Sequence, residues 1–274
     1  MKATITATAK YLPQKTLSNQ ELEKMVDTSN EWILSRTGIE NRHIVSDGEA
    51  TSDMCSQIAN QLLEKSGKSA EDIDLILVAT STPDFLVVST AALVQDKIGA
   101  KNAWGYDIVA ACTGFVYAME TGAKFIESGS YNNVIVIGAD TMSSIIDYTD
   151  RNTCVIFGDG GGGVLLEPTQ EEIGIIDSIL HIDGSGHKFL TVPAGGSSNP
   201  ASKETIDNKM HYVYQDGKTV YKFAVKNMAD VSKKILDNNN LQGSDIKLFI
   251  PHQANRRIID AAAKRCGLED KQVF

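Results

Sequence analysis

The sequence predicts an α/β fold built as two similar halves, with helices covering both faces of the sheets. Two observations carry this. Amphipathic helical segments alternate with short, continuously apolar strand runs along the chain. One such unit also recurs: "IANQLLEKSGKSAEDIDLILVA" from Ile58 aligns without gaps onto "VSKKILDNNNLQGSDIKLFIPH" from Val231, a constant offset of 173 residues. Ile58, Leu62 and Leu63 fall on Val231, Ile235 and Leu236, and Ile73, Leu75 and Ile76 fall on Ile246, Leu248 and Phe249. Each copy reads as an amphipathic helix, a polar turn with an Asp, and a buried strand. Any two helix–turn–strand units share some pattern, but the gapless register favours duplication. The halves are drawn at 1–170 and 171–274, with a site expected between them.

In chain order, "SNQELEKMVDTS" opens a helix with Ser18 as N-cap and Glu21 three residues on, a capping box. The first repeat copy then supplies a helix from Ile58 and a strand around Leu75. "WGYDIVAA" holds Trp104, Tyr106, Ile108 and Val109 in a strand run, and Phe115, Val116, Met119 and Ala123 follow at helical spacing. "NVIVIGAD" from Asn133 and "GVLLEP" from Gly163 are short apolar strands. "GDGGGG" (158–163) fits G-x-G-x-x-G, but a strand follows it where a dinucleotide site needs a helix, so we reject such a site. The stretch 191–212 reads as an excursion loop within a domain. The second copy ends in a strand that runs into His252 and a further helix.

Composition narrows the function classes. With 26 Lys+Arg against 35 Asp+Glu, the net charge is −9, which argues against nucleic-acid partners and anionic membrane surfaces. No run reaches the length of a membrane span, and "MKATITATAKYLP" lacks the apolar core of a signal peptide. Cys55, Cys112, Cys154 and Cys266 are scattered and show no CxxC spacing, and no HExxH occurs. Reduced thiols in a cytoplasm, with no metal, are expected.

Cys112 sits where a strand turns into a helix, among the small residues Ala110, Ala111 and Gly114. A helix N-terminus favours negative charge, which predicts a lowered thiol pKa and a nucleophile. The other three cysteines lie in predicted helices or an apolar run. Position alone leaves a small packed cysteine equally open. A nucleophile needs partners. His252 stands at the carboxyl end of a strand, where α/β folds place their sites, with Gln253 and Asn255 beside it.

Five motifs, "SNEWILSRTGIENR" (29–42), "ATSTPD" (79–84), "AACTGF" (110–115), "NTCVIFGDGGGGVLLEP" (152–168) and "PHQANRRI" (251–258), run in one order across nearly the whole chain. With them the sequence resembles the β-ketoacyl-acyl carrier protein synthase III family, the initiating condensing enzymes of type II fatty acid synthesis. The resemblance implies a duplicated thiolase-like fold and a homodimer. It implies no cofactor, with a CoA thioester as substrate and malonyl-acyl carrier protein as the second partner. Cys112 would take the acyl primer, and His252 would hydrogen-bond the malonyl thioester oxygen during decarboxylation. Asn255 would lie near the pantetheine arm. Trp32 and Arg151 would sandwich the CoA adenine, and Arg36 and Gly217 would line the CoA tunnel. The glycine stretch would form a tight loop leading into a core strand. Arg256, Arg257, Lys264 and Arg265 on the helix after His252, with Lys222 nearby, would dock the acidic carrier protein.

Two departures stand out. Val87 and Val88 follow "TPDFL" where the family commonly has an aromatic residue or leucine and then Pro; the smaller Val87 implies an acyl pocket, shared across the dimer, with room for a longer or branched primer. The family's third catalytic residue, an Asn in a "GNTSAAS"-like motif, is expected beyond position 274, so the resemblance implies a C-terminally truncated synthase whose second half is incomplete. A ketide synthase of secondary metabolism and a non-catalytic acyl-CoA or carrier-protein binding module are the alternatives.

Overall fold

The structure, a computed structural model, describes residues 1–253 and 255–274; Ala254 of the "PHQANRRI" motif lies outside them. The chain begins with β1 (Lys2–Tyr11), β2 (Lys15–Ser18), α1 (Asn19–Leu22), α2 (Asn30–Thr37), β3 (Asn41–Ile44), α3 (Thr51–Ser66), β4 (Leu75–Ala79), α4 (Thr90–Ile98), β5 (Trp104–Ile108) and α5 (Gly114–Glu127). It continues with β6 (Val134–Asp140), β7 (Gly160–Thr169), β8 (Leu190–Thr191), α6 (Lys203–Asp207), β9 (Tyr214–Gln215), α7 (Gly217–Asn238) and α8 (Arg256–Cys266). These elements pack as two units: Met1–Thr16, His43–Ser144 and Gly158–Ser178 make the first, and Leu17–Arg42, Ile145–Phe157 and Ile179–Phe274 the second.

The first unit is a five-stranded mixed sheet in the order β1-β7-β6-β4-β5. β4 pairs in parallel with both β5 and β6, while β7 runs antiparallel to β6 and β1. Strand alternation splits the core into two layers. Ile76, Val78, Ile135, Ile137 and Leu165 face Met54, Ile58 and Leu62 of α3 and Val94 of α4. Leu75, Leu77, Val134, Val136 and Leu166 face Ala118, Ala123 and Ile126 of α5. Continuous apolar runs in β4 and β6 are thus required, because both faces are covered.

The glycine stretch departs from expectation. β7 begins at Gly160, so most of "GDGGGG" is strand rather than a loop leading into one. A Cβ on Gly161 would stand 2.7 Å from the Ala139 Cβ, and one on Gly163 would stand 2.8 Å from Ile58 Cγ2 and 2.9 Å from the Val136 carbonyl oxygen. Bare backbone is what lets α3 lie against this strand.

In the second unit α7 packs on α8, which buries Ile258, Ile259, Ala262, Ala263 and Cys266. The repeat is visible here in its helix and turn. A 3₁₀ turn at Gly243–Asp245 mirrors Ala70–Asp72, and in both the Asp carboxylate accepts from a backbone N–H three residues back, Ser69 or Gln242, at 2.8 Å. The expected buried strand is reduced to one parallel bridge between Phe249 and Val273. β4 has a strand on each side, whereas Phe249 is bridged on one side only among the described residues, and Leu248 and Ile250 are exposed. The 191–212 excursion contains the short α6 and is flanked by the β8–β9 pair.

Candidate active site

β4, β5 and β6 end together at their carboxyl termini, and three groups gather there: Thr80–Thr82 after β4, Cys112 after β5, and Asp140 closing β6. Cys112 occupies a 3₁₀ turn, Ala111–Thr113, that leads straight into α5. Ala111 has φ 44°, a left-handed conformation that costs a non-glycine residue about 1–2 kcal/mol. Strain of this kind collects at functional turns. Gly114 lets α5 start close to β4, since a Cβ there would stand 3.1 Å from the Ala79 Cβ.

Cys112 is exposed, whereas Cys55, Cys154 and Cys266 are buried. The lowered pKa expected from the helix N-terminus is not found. Desolvation by the surrounding protein, and secondarily the Asp140 carboxylate, push the Cys112 thiol up, and a backbone contact opposes them only in part. Asp140 itself accepts hydrogen bonds at Oδ1 from the Ser81 and Thr82 N–H groups at 2.7 and 3.2 Å, and from the Thr80 and Thr82 hydroxyls at 3.1 and 2.9 Å. Burial nevertheless raises its pKa. Cys154 is pushed further, to about 11, chiefly by burial. Access sets Cys112 apart from the three buried cysteines.

The second unit assembles the other predicted cluster. α2 starts on Ser29, whose hydroxyl accepts from the Trp32 N–H at 3.1 Å, and it carries both Trp32 and Arg36. The Arg36 guanidinium lies over the Trp32 ring at 5.1 Å and that of Arg151 at 4.9 Å, each a cation–π contact. Arg151 also pairs with Asp27 at 3.6 Å.

His252 follows the buried Pro251. Its side chain reaches solvent, yet surrounding protein desolvates it and lowers its pKa, which favours neutral imidazole at pH 7. Asn255 is the N-cap of α8, its Oδ1 accepting from the Arg257 N–H at 2.9 Å. Gly217 opens α7, with nothing within 4 Å of an added Cβ. Val87 is 95% exposed on the loop between β4 and α4. Lys222, Arg256, Arg257, Lys264 and Arg265 are all exposed, but Arg265 is ion-paired to Asp230 at 2.7 Å and Arg256 approaches Asp260 at 3.9 Å. Sequence reasoning missed Asp140; a carboxylate closing an otherwise apolar strand run was its signal. Among the described residues, no group of three or more His, Cys, Asp or Glu is placed to hold a metal ion.

The crystal structure of 3-oxoacyl-[acyl-carrier-protein] synthase III from Aquifex aeolicus matches with a TM-score of 0.90 at 38% identity, covering 99% of this chain and 83% of that one. The fold is thus thiolase-like. Family profiles described as 3-Oxoacyl-[acyl-carrier-protein (ACP)] synthase III, and as its C-terminal part, match residues 106–184 and 236–274. The Beta-ketoacyl-[acyl-carrier-protein] synthase III of Chlorobaculum tepidum is 56% identical over 277 aligned positions, covering 100% of this chain and 84% of that protein. That of Koribacter versatilis is 54% identical, covering 100% and 83%. The chain belongs to the β-ketoacyl-[acyl-carrier-protein] synthase III family.

Proposed function

We propose that the chain is a condensing acyltransferase that joins an acyl-CoA primer to malonyl-acyl carrier protein, the reaction that initiates fatty acid synthesis. Family membership at 56% identity is the observation that carries this reading. Cys112 sulfur attacks the primer carbonyl, its proton leaves with CoA as the free thiol, and a thioester remains on Cys112. Malonyl thioester then loses carbon dioxide, and the enolate carbon attacks that thioester carbonyl and expels the Cys112 sulfur. A neutral His252 donates an N–H to the oxygen on which enolate charge builds, a role to which its lowered pKa suits it. The Asn255 amide offers its NH2 to the pantetheine arm while its Oδ1 stays in the cap. No cofactor is required beyond the thioester substrates.

Trp32 and Arg151 hold the adenine of CoA, with Arg36 and Gly217 along the tunnel. Arg151 lies against the Trp32 ring, so the adenine enters by parting them. Lys222, Arg256, Arg257, Lys264 and Arg265 form the carrier-protein dock, with Arg265 partly neutralised by Asp230. The active form is a homodimer. β5 is an edge of the sheet with Trp104 43% exposed, and Phe85, Leu86 and Val87 are 60, 91 and 95% exposed, an apolar surface suited to a second copy. Val87 would reach the partner's acyl pocket from there. Four free cysteines suit a reducing cytoplasm. The 1–170 and 171–274 halves are the two copies of the duplication; packing units made of interleaved segments are compatible with that ancestry.

The test separates the two half-reactions. Cys112→Ser should abolish acyl transfer from acyl-CoA. His252→Ala should leave that transfer within about threefold, yet lower malonyl decarboxylation by about 100-fold or more, the usual cost of losing a donor to developing charge. Loss of both half-reactions in His252→Ala would contradict the division of labour.

A further inference from the structure

Arg42 is 3% exposed, and its hydrogen-bond acceptors are neutral. Its Nε and Nη2 donate to the Val155 carbonyl at 3.2 and 2.6 Å, and its Nη1 donates to Asn19 Oδ1 at 2.5 Å. Asn19 is itself fully buried. Its Nδ2 donates to Asn30 Oδ1, at the start of α2, and to the Ile39 carbonyl just past the end of α2, both at 2.9 Å. One amide therefore ties both ends of the helix that carries Trp32. At the other end of the chain of bonds, Val155 belongs to a run of turns that also contains Arg151. The Asp150 carboxylate holds that run by accepting from the Asn152 N–H at 3.0 Å and the Thr153 hydroxyl at 3.0 Å.

A buried charge is costly unless it is hydrogen-bonded, and here the Arg42 fork reaches the Val155 carbonyl on the turns that carry Arg151 and, through Asn19, both ends of the helix that carries Trp32. A lysine would keep the charge but not the fork. We infer that Arg42 is a positioning residue for CoA: through Asn19 and the Val155 carbonyl it fixes the turn bearing Arg151 to the helix bearing Trp32. The inference rests on the reading that Trp32 and Arg151 hold the adenine. When an entering ring separates their side chains, the strut keeps the two backbones at a set spacing.

Calorimetric titration of CoA into the 274-residue chain tests it. Trp32→Ala and Arg151→Ala should each weaken CoA about tenfold. Arg42→Gln should weaken CoA by a similar factor and Arg42→Lys by less, since small misplacements of binding groups are felt strongly. In an Arg151→Ala background, Arg42→Gln should add little further, the coupling expected of groups acting in series. Iodoacetamide should alkylate Cys112 at the parental rate in every variant when CoA is absent. Where Arg42→Gln does not fold, the Arg42→Lys cycle is read instead. If Trp32→Ala and Arg151→Ala weaken CoA while Arg42 variants bind it as the parent does, the inference is overturned and the clamp stands. Equal losses with and without Arg151, or slowed Cys112 alkylation, would mean general structural damage and overturn it too. Unchanged CoA affinity in Trp32→Ala and Arg151→Ala would remove the clamp reading and the inference together.

Discussion

Iodoacetamide reacts with thiolate, so two properties of Cys112 act against each other: it is exposed, and its pKa is raised by desolvation and by Asp140. Access decides the ranking among cysteines. Peptide mapping after limiting alkylation should find Cys112 modified well ahead of Cys55, Cys154 and Cys266, which are buried. Acidity decides the pH profile. Because the folded-state pKa is raised, the rate should climb about tenfold per pH unit through neutral pH and level off only above the range of an ordinary thiol. Asp140→Asn removes a negative charge that disfavours the thiolate, so its profile should move to lower pH. An unmoved profile in that variant would show that desolvation acts alone. The placement of Cys112 at a strand-to-helix turn was legible in the sequence; its raised pKa was not, because desolvation and a carboxylate from another strand set it. The Arg42 strut was equally hidden, since its bond to Val155 joins residues 113 positions apart and leaves no local pattern.

At the scale of elements, period-2 and period-3.6 patterns did most of the work. β5, α5, β6 and the Ser18–Glu21 capping box all stand where the patterns put them, because each buries a defined face or uses a local bond. The glycine strand escaped such reasoning. Glycine has no strand preference of its own, and what makes 160–163 a strand is its pairing between β1 and β6, with α3 resting on the bare backbone, contacts that no local window contains. Gly163→Ala should therefore destabilise the fold by about 1–3 kcal/mol through overpacking against Ile58 and the Val136 carbonyl. Gly217→Ala, with open space around it, should stay within about 0.5 kcal/mol. Urea unfolding midpoints compare the two, and equal stabilities would sink the packing argument. The strand after the second repeat's turn was over-read, because the apolar pattern "IKLFI" says what a strand would bury but not which neighbours will pair with it.

Over the whole molecule, the net charge of −9 makes the basic exposed faces of α7 and α8 local exceptions to an acidic background. Arg257 and Lys264 lie seven positions apart, on one face of α8. Arg257→Glu with Lys264→Glu should raise the KM for malonyl-acyl carrier protein about tenfold at low salt and leave the KM for acyl-CoA unchanged, with the difference shrinking as salt rises. A salt-independent loss shared by both substrates would rule out docking. On the proposed reading, this chain takes an acyl group from CoA onto Cys112. Intact-protein mass spectrometry after incubation with acetyl-CoA, followed by mapping of the modified peptide, tests it most directly. One acetyl group on the peptide carrying Cys112, absent from Cys112→Ser, is the result predicted. Reversible CoA binding with no added mass, or acetyl on another residue, would contradict the account.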